Sequence, residues 1–195
     1  GIEPFRKAVA QWLGRRYKLE KPVDPDSEVL VLNGTREGLF LGAIAATRWV
    51  GARAGAPAVL IPNPFYAAYA AGAVAAGCEP VYLPATRASG FLPDLDALDD
   101  ALLKRTVAFY LASPSNPQGA VADRAYLDRL AALSHRFGFL VFADECYCEI
   151  YSEHQPAGML EAAGPGFPNT VVFHSLSKRS NLPGLRIGFA AGDRN

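Results

Sequence analysis

The sequence lacks an excess of charge of either sign. Its 195 residues include 19 lysines and arginines and 19 aspartates and glutamates, so the formal net charge at pH 7 is zero. Proteins that bind nucleic acid or an anionic membrane usually show a surplus of basic residues. The sequence also lacks any apolar run that approaches the roughly 20 residues needed to cross a bilayer. We therefore expect neither nucleic acid nor a membrane as a partner.

Cysteine is also scarce. The three cysteines, Cys78, Cys146 and Cys148, do not have the paired spacing of a zinc site. A small odd number of cysteines is typical of a reducing compartment, so we expect ordinary thiols in a cytoplasmic protein. The histidines have no mutual spacing that suits a metal or a catalytic triad. The first residues, GIEPFRKAVAQWLG, lack the apolar core and cleavage site of a signal peptide.

What the sequence does contain is a regular alternation of short apolar segments with helical patterns. The apolar segments predict strands at EVLVLNG, PAVLIPNP, EPVYLP, TVAFYLASPSNP, FLVFADE, TVVFHS and LRIGFAAG. Most of these segments are apolar throughout, which is typical of strands buried on both faces of a parallel sheet. The repetition of strand, helix and strand predicts an α/β fold with a mostly parallel sheet. We find no repeat or linker, so residues 1–195 are expected to form one domain.

Helices are predicted in five segments. They are Pro4 to Tyr17, REGLFLGAIAATRWVGARAG with Gly55 near its end, FYAAYAAGAVAAGC, LPDLDALDDALLK with Asp94 as its N-cap, and DRAYLDRLAALSHRFG with Gly138 as its C-cap signal. The segment EHQPAGMLEAAGPGFPN is the least regular, and we expect a surface loop with one short helical turn there.

The residues that directly follow each apolar segment are the candidate site, because ligands of such sheets bind beyond the carboxyl ends of the strands. These residues are Gly34–Thr35, Asn63–Tyr66, Ser113–Asn116, Asp144–Tyr147 and Ser175–Lys178.

Two of these strand-end residues carry a charge that needs a partner. Asp144 follows FLVFA directly, and an ionised carboxylate at a buried strand end is costly unless a cation or several donors surround it. Lys178 follows the segment TVVFHS. Burial there would disfavour its ammonium form and leave a nucleophilic amine.

Several other strand-end groups suit an anion. Ser175, Ser177 and Arg186 supply hydroxyl and guanidinium donors near the lysine. Gly34 and Thr35 lie at a strand-to-helix turn, where backbone N–H groups and the helix dipole favour a phosphate. These residues predict a phosphate-binding end of the site.

The remaining groups suit a flat ring. Asn116 and Tyr147 offer neutral hydrogen bonds, and Tyr66 offers an aromatic face. One ligand would satisfy all of these groups, namely pyridoxal phosphate, whose aldehyde bonds to a lysine and whose pyridine nitrogen stays protonated beside a buried carboxylate. We therefore expect pyridoxal phosphate as the cofactor.

Three motifs, SPSNPQG, ADECY and SLSKRSNLPGLRIGF, stand in the order and spacing of the fold type I, class I/II aminotransferases. The chain resembles this family along nearly all of its length, which implies the three-layer α/β/α large domain that binds pyridoxal phosphate. The resemblance implies that Lys178 attaches the cofactor. It also implies that Asp144 pairs with the pyridine nitrogen, and that Asn116 and Tyr147 hydrogen-bond the ring hydroxyl oxygen.

The same resemblance assigns residues to the ring face and to the phosphate of the cofactor. NPFYAAY resembles the segment whose aromatic residue stacks on the ring, here Tyr66, although Phe65 and Tyr69 could share or take that face. NGTREG resembles the phosphate turn, which uses mainly backbone N–H groups, so the side chain of its arginine has no assigned role beyond a helix start. The expected phosphate residues are Gly34, Thr35, Arg36, Ser175, Ser177 and Arg186.

The resemblance implies transamination in a cytoplasmic homodimer, with the freed Lys178 amine as general base and acid. The strings LNGTREGLF, PNPFYAAY and SLSKRSNLPGLR are similar to bacterial N-succinyl-diaminopimelate aminotransferases of lysine biosynthesis. This similarity implies that the amino donor is N-succinyl-LL-2,6-diaminopimelate or a similar amino acid. It also implies that 2-oxoglutarate accepts the amino group and becomes glutamate.

Members of the family are longer than this chain. An N-terminal arm, a tyrosine upstream of Gly1 that reaches the partner subunit's phosphate, and a C-terminal small domain with an arginine for the substrate carboxylate have no counterpart here. We therefore expect residues 1–195 to be the large domain of a longer protein, without the small domain.

Other readings of the motifs remain open. The same large domain serves C–S lyases, decarboxylases and acyl-transferring synthases, since a fold can host several functions, although SKRSNLPGLR favours transaminases. It also serves as the effector domain of pyridoxal-phosphate-sensing transcription regulators, which need a basic DNA-binding module upstream. Two residues beside the motifs are expected to be structural: His174, and Glu145, which would support the turn after Asp144.

Overall fold

The structure is a computed structural model that describes all 195 residues. Seven strands form one mixed sheet in the order β1-β7-β6-β5-β4-β2-β3. The strands are β1 Val29–Leu32, β2 Ala58–Asn63, β3 Glu79–Pro84, β4 Thr106–Ala112, β5 Leu140–Asp144, β6 Thr170–Ser175 and β7 Gly188–Gly192.

Helices cover both faces of the sheet. They are α1 Glu3–Tyr17, α2 Thr35–Val50, α3 Ala67–Ala75, α4 Asp100–Arg105, α5 Arg124–Phe137, α6 Met159–Ala163 and α7 Leu176–Arg179, with 3₁₀ turns at Arg87–Ser89, Leu95–Ala97 and Pro183–Leu185. Side chains of α1, α4, α5 and α6 pack in one apolar core, and those of α2 and α3 pack in another. The prediction of a three-layer α/β/α fold is therefore confirmed. No helix combines the length and the apolar character that crossing a membrane would require.

The strands β3, β2, β4, β5 and β6 pair in parallel, whereas β7 pairs antiparallel with both β6 and β1. Because two reversals restore the direction, β1 runs the same way as β6. All the strands except β7 therefore end at one edge of the sheet, and β7 begins at that edge. This topology brings together the strand-end residues that the sequence singled out.

Strand β4 shows why these strands do not alternate in polarity. Its residues are buried along almost the whole strand. Phe109 and Leu111 pack in the core beneath α1 and α5, whereas Ala108 and Tyr110 pack in the core beneath α2 and α3. A strand that is covered on both faces must be apolar at every position, as the sequence pattern predicts.

The helix boundaries follow capping residues, with two differences from prediction. Helix α5 ends as predicted at Gly138, which adopts φ of 68° and donates its N–H to the Ser134 carbonyl. Helix α2 ends at Val50, before the predicted Gly55. The segment LPDLDALDDALLK is divided, because the carboxylate of Asp94 caps the 3₁₀ turn while that of Asp99 caps α4.

The segment that was expected to be a surface loop also differs from prediction. Its short helix α6 places Met159 and Leu160 fully inside the core, with Phe167 close behind. The segment lacks helical periodicity because one turn is too short to show it, yet its apolar residues still bury. This helix lies beside the site, as described below.

Candidate functional site

A cavity of about 650 Å³ lies at the edge of the sheet where most of the strands end. Its size is within the range of roughly 300–1,000 Å³ that is typical of small-molecule sites. It is lined by ten of the predicted site residues: Thr35, Arg36, Tyr66, Asn116, Asp144, Tyr147, Ser175, Ser177, Lys178 and Arg186. The remaining one, Gly34, lies directly behind the side chain of Arg186.

One end of the cavity gathers donors that suit an anion. Helix α2 begins at Thr35, and no side chain hydrogen-bonds to its first N–H groups. Arg186, which precedes β7, reaches this point and donates from Nη1 to the Pro183 carbonyl at 3.0 Å and to the Ser177 hydroxyl at 3.5 Å. Because helix N–H groups, a guanidinium and a hydroxyl converge here, this end can hold a phosphate.

Gly34 makes room for this arrangement. It adopts φ of 83°, and a Cβ atom at this position would lie 2.5 Å from Nη2 of Arg186. A side chain would therefore be strained in its backbone conformation and would also displace the guanidinium. The glycine before α2 therefore allows the guanidinium of Arg186 to lie close to the start of this helix.

The carboxylate of Asp144 lines the same cavity. This residue ends β5 and is half-buried. Its Oδ2 accepts a hydrogen bond from the Tyr69 hydroxyl at 2.6 Å, and its Oδ1 accepts one from the Cys146 N–H at 3.2 Å. The sequence analysis did not predict Tyr69 as the partner of Asp144. The available signal was its position, three residues after Tyr66 on the same helical turn.

Lys178 lines the same cavity from the short helix α7. Its Nζ lies 5.9 Å from the centre of the Tyr147 ring. The expectation that the preceding strand would bury this lysine is wrong, since Lys178 is exposed. The reason is that α7 begins directly after β6, so its one turn lies at the mouth of the cavity instead of in the core.

The ring-binding candidates also come together. Asn116 donates from Nδ2 to the Tyr147 hydroxyl at 3.2 Å, which places both groups at one wall of the cavity. Tyr66 is 38% exposed, and the guanidinium of Arg36 lies over its ring and donates to its hydroxyl. The side chain of Arg36 therefore orients the aromatic ring, a contact that the sequence analysis did not predict.

Comparison with known proteins identifies the family. The family model described as aminotransferase class I and II matches residues 1–195. The chain belongs to this family. Members of the aminotransferase family generally use pyridoxal phosphate, the ligand for which the cavity has a donor-rich end, a lysine and a carboxylate.

The relatives and solved structures that this chain resembles are named as aminotransferases. The chain is 38% identical to LL-diaminopimelate aminotransferase of Desulforudis audaxviator (strain MP104C), over 99% of this chain and 47% of that protein. Its fold matches that of an aminotransferase from Neisseria meningitidis Z2491, with a TM-score of 0.89 and 39% identity over 100% of this chain and 49% of the other. It also matches a probable N-succinyldiaminopimelate aminotransferase from Thermus thermophilus, with a TM-score of 0.84 and 28% identity over 98% of this chain and 49% of the other. The chain thus spans about half the length of the relatives that it matches.

A buried acid–base pair, Glu145 and His174, lies next in the chain to the cavity residues Asp144 and Ser175. Glu145 is 2% exposed and accepts hydrogen bonds from the Tyr17 hydroxyl at 2.6 Å and from the Met159 N–H at 2.7 Å. Nε2 of the fully buried His174 lies 3.2 Å from Glu145 Oε2, and its Nδ1 lies 3.6 Å from Cys148 Sγ. Neither residue lines the cavity, and Glu145 joins α1, α6 and β6, so it does more than support its turn.

The electrostatics of the pair decide its charge state. Burial alone would lower the pKa of His174, but hydrogen bonding to Cys148 and Glu145 and the charge of Glu145 outweigh it and raise this pKa to about 9. Burial, followed by the Glu145 charge, also raises the pKa of the Tyr17 hydroxyl, which therefore remains a donor. His174 is therefore an imidazolium at neutral pH.

This pair is expected to make the stability depend on pH. A histidine whose pKa is about 9 when folded and about 6.5 when unfolded stabilises the fold fully below pH 6.5, and its contribution disappears as pH rises through 9. The difference corresponds to about 3 kcal/mol in the free energy of unfolding. Urea unfolding of the parent between pH 6 and pH 10 should show this loss, and the His174→Gln variant should show a flatter profile. Equal slopes for the two proteins would contradict the assignment.

Proposed function

We propose that residues 1–195 form the cofactor-binding domain of a pyridoxal-phosphate-dependent aminotransferase that acts as a cytoplasmic homodimer. The observation that carries this proposal is one cavity that is lined by Lys178, by the carboxylate of Asp144 and by the anion cradle at Arg186. Membership of the family supports it. The three cysteines are all free, which agrees with a reducing compartment.

The residues present fit the cofactor at each of its ends. The N–H groups at Thr35, the hydroxyl of Ser177 and the guanidinium of Arg186 would hold the phosphate, with Gly34 leaving room for the guanidinium. Ser175 caps α7 by accepting the Ser177 N–H at 3.1 Å, so it orients the helix that carries the lysine and offers its hydroxyl to the same end.

The ring would be held by the other walls of the cavity. Asp144 would lie at the pyridine nitrogen, and Asn116 and Tyr147 would donate to the ring oxygen from the positions in which they already contact each other. Tyr66, oriented by Arg36, would cover one face of the ring. When bound, pyridoxal phosphate supplies an electron sink for the bond that breaks at the substrate α-carbon.

Asp144 and Lys178 would have different roles in the reaction. Asp144 would keep a proton on the pyridine nitrogen, because an ionised carboxylate beside a nitrogen base favours its charged form. Lys178 would attach the cofactor through its amine, and the freed amine would act as general base at the substrate α-carbon and as general acid at the cofactor's C4′. The exposed position of Lys178 leaves its amine free to move between these two tasks.

For the substrate we propose an LL-diaminopimelate-type amino acid, with 2-oxoglutarate as the amino acceptor. The names of the relatives support this class, and they differ in whether the substrate carries a succinyl group. Because the relative with higher identity is named for LL-diaminopimelate itself, we favour the substrate without the succinyl group. The sequence motifs alone had indicated the N-succinyl form.

A donor screen tests the proposal. Full-length protein loaded with pyridoxal phosphate is incubated with 2-oxoglutarate and either LL-diaminopimelate or its N-succinyl derivative, and glutamate is measured. We expect glutamate from LL-diaminopimelate at a rate at least tenfold above that from the derivative, in a protein that sediments as a dimer. Release of CO₂ or of a sulfur leaving group from amino acids would indicate a decarboxylase or a C–S lyase instead. Cofactor binding without transfer from any amine would indicate a sensor.

A further inference from the structure

Tyr69 is a buried phenol whose hydroxyl contacts the site. It lies in the first turn of α3, and its side chain is almost fully enclosed in the core beneath α2 and α3. Its hydroxyl donates to Oδ2 of Asp144 at 2.6 Å. These two residues are 75 positions apart in the chain, so only the fold brings them together.

The ring of Tyr69 cannot turn away from this contact. It stacks on Tyr110 of β4 with ring centres 4.5 Å apart and an angle of 9° between the planes. The hydroxyl of Tyr110 donates to the Leu39 carbonyl of α2 and does not contact Asp144. Because the Tyr69 ring is buried and stacked in this way, it presents its hydroxyl to Asp144 in one direction.

Tyr69 also contacts the aromatic wall of the cavity. Its N–H donates to the Tyr66 carbonyl at 3.0 Å, and the two rings meet edge to face with centres 5.9 Å apart. Tyr69 thus lies behind both the residue assigned to the ring face and the residue assigned to the pyridine nitrogen.

We propose that Tyr69 is a positioning residue for the cofactor, which fixes the orientation of the Asp144 carboxylate and stabilises its ionised form. This inference rests on the proposed function, since Tyr69 acts through the role assigned to Asp144. The Tyr69 hydroxyl and the Cys146 N–H each occupy one carboxylate oxygen, so the plane of the carboxylate is set before any ligand binds. A charge-assisted hydrogen bond of this kind favours the ionised form of an acid.

The neighbourhood of Asp144 is consistent with this role. The titratable groups that face it are Tyr69 from α3 and Cys146 from the turn after β5, while Arg36, Tyr147 and Lys178 line the same cavity. Burial, followed by the charge of Asp144, raises the pKa of Tyr69 well above its ordinary value, so the phenol keeps its proton and remains a donor.

Replacement of one hydroxyl tests the inference, with pyridoxal phosphate itself as the probe. Apo full-length protein is titrated with the cofactor from pH 5 to pH 8, and its dissociation constant is measured for the parent, Tyr69→Phe and Tyr110→Phe. In Tyr69→Phe we expect roughly tenfold weaker binding at pH 7, and loss of binding on acidification at a higher pH than in the parent. Tyr110→Phe removes an equally buried hydroxyl from the same stack without contact to Asp144, so it should leave the pH profile unchanged.

A double variant separates positioning from stability. If Tyr69 acts through the carboxylate, Tyr69→Phe should not weaken cofactor binding further in a protein that already carries Asp144→Asn. If Tyr69→Phe acts by a general loss of packing, it should weaken cofactor binding in that protein as well. Identical pH profiles for Tyr69→Phe and Tyr110→Phe, or a persistent effect in the double variant, would overturn the inference. If Asp144→Asn weakens cofactor binding and Tyr69→Phe does not, only the inference fails. If the parent itself does not bind pyridoxal phosphate, both the inference and the proposed function fail.

Discussion

Replacing Lys178 with alanine is expected to lower the transamination rate of the full-length protein by roughly 10³-fold. Lys178 is the lysine that lines the cavity together with Asp144 and the anion cradle, and its exposed amine has no acid partner that would occupy it. Alanine removes both the group that would bond to the cofactor and the base for the α-proton. The rate is measured with the best amine found in the donor screen.

The covalent bond to the cofactor provides a second readout that does not depend on turnover. Protein loaded with pyridoxal phosphate is treated with borohydride and weighed by mass spectrometry. The parent should gain the mass of the reduced cofactor, whereas Lys178→Ala should not. Lys104 is another exposed lysine, on α4 and away from the cavity, so Lys104→Ala should behave as the parent does. A Lys178→Ala protein that still gains this mass would show that another amine attaches the cofactor.

Replacing Glu145 with alanine is expected to lower the free energy of unfolding by about 3–5 kcal/mol. The change removes the ion pair of His174, since no other carboxylate lies within ion-pair distance of it, and the buried histidine must then give up its proton or its counter-ion. It also removes the acceptor of the Tyr17 hydroxyl and of the Met159 N–H. The loss of a buried ion pair and two unpaired donors inside a core are each costly.

Urea unfolding at pH 7 measures this loss. Glu79 offers a control, because its ion pair with Arg105 lies at the surface, and Glu79→Ala should cost less than about 1 kcal/mol. A loss in Glu145→Ala that is no larger than in Glu79→Ala would mean that the buried pair contributes little. Because Glu145 follows Asp144 and His174 precedes Ser175, we also expect weaker cofactor binding in Glu145→Ala.

The architecture was predictable because it depends on local patterns. Strands such as FLVFADE are apolar throughout, and the rule that parallel strands end at one edge of the sheet brought the predicted site residues into one cavity. The antiparallel strand β7 was predicted as a strand, but its direction was not. That direction is what places Arg186 at the same edge as Asp144.

Contacts between distant elements were not predictable in the same way. The exposure of Lys178 depends on how α7 leaves the sheet, and the contact of Arg36 with Tyr66 depends on the relative positions of α2 and α3. No local pattern marks either feature, because periodicity reports which face of an element is apolar and not what lies opposite it.

The sequence by itself determined the fold class, the family and ten of the residues that line the cavity, because hydrophobic patterning and motif order are properties of the chain. Only the tertiary structure decided which groups hold those residues in place. Tyr69 on Asp144, and Tyr17 and His174 on Glu145, are pairs from separate helices and strands. Their energies depend on distances of a few ångströms inside a low-dielectric core, and packing in three dimensions alone sets those distances.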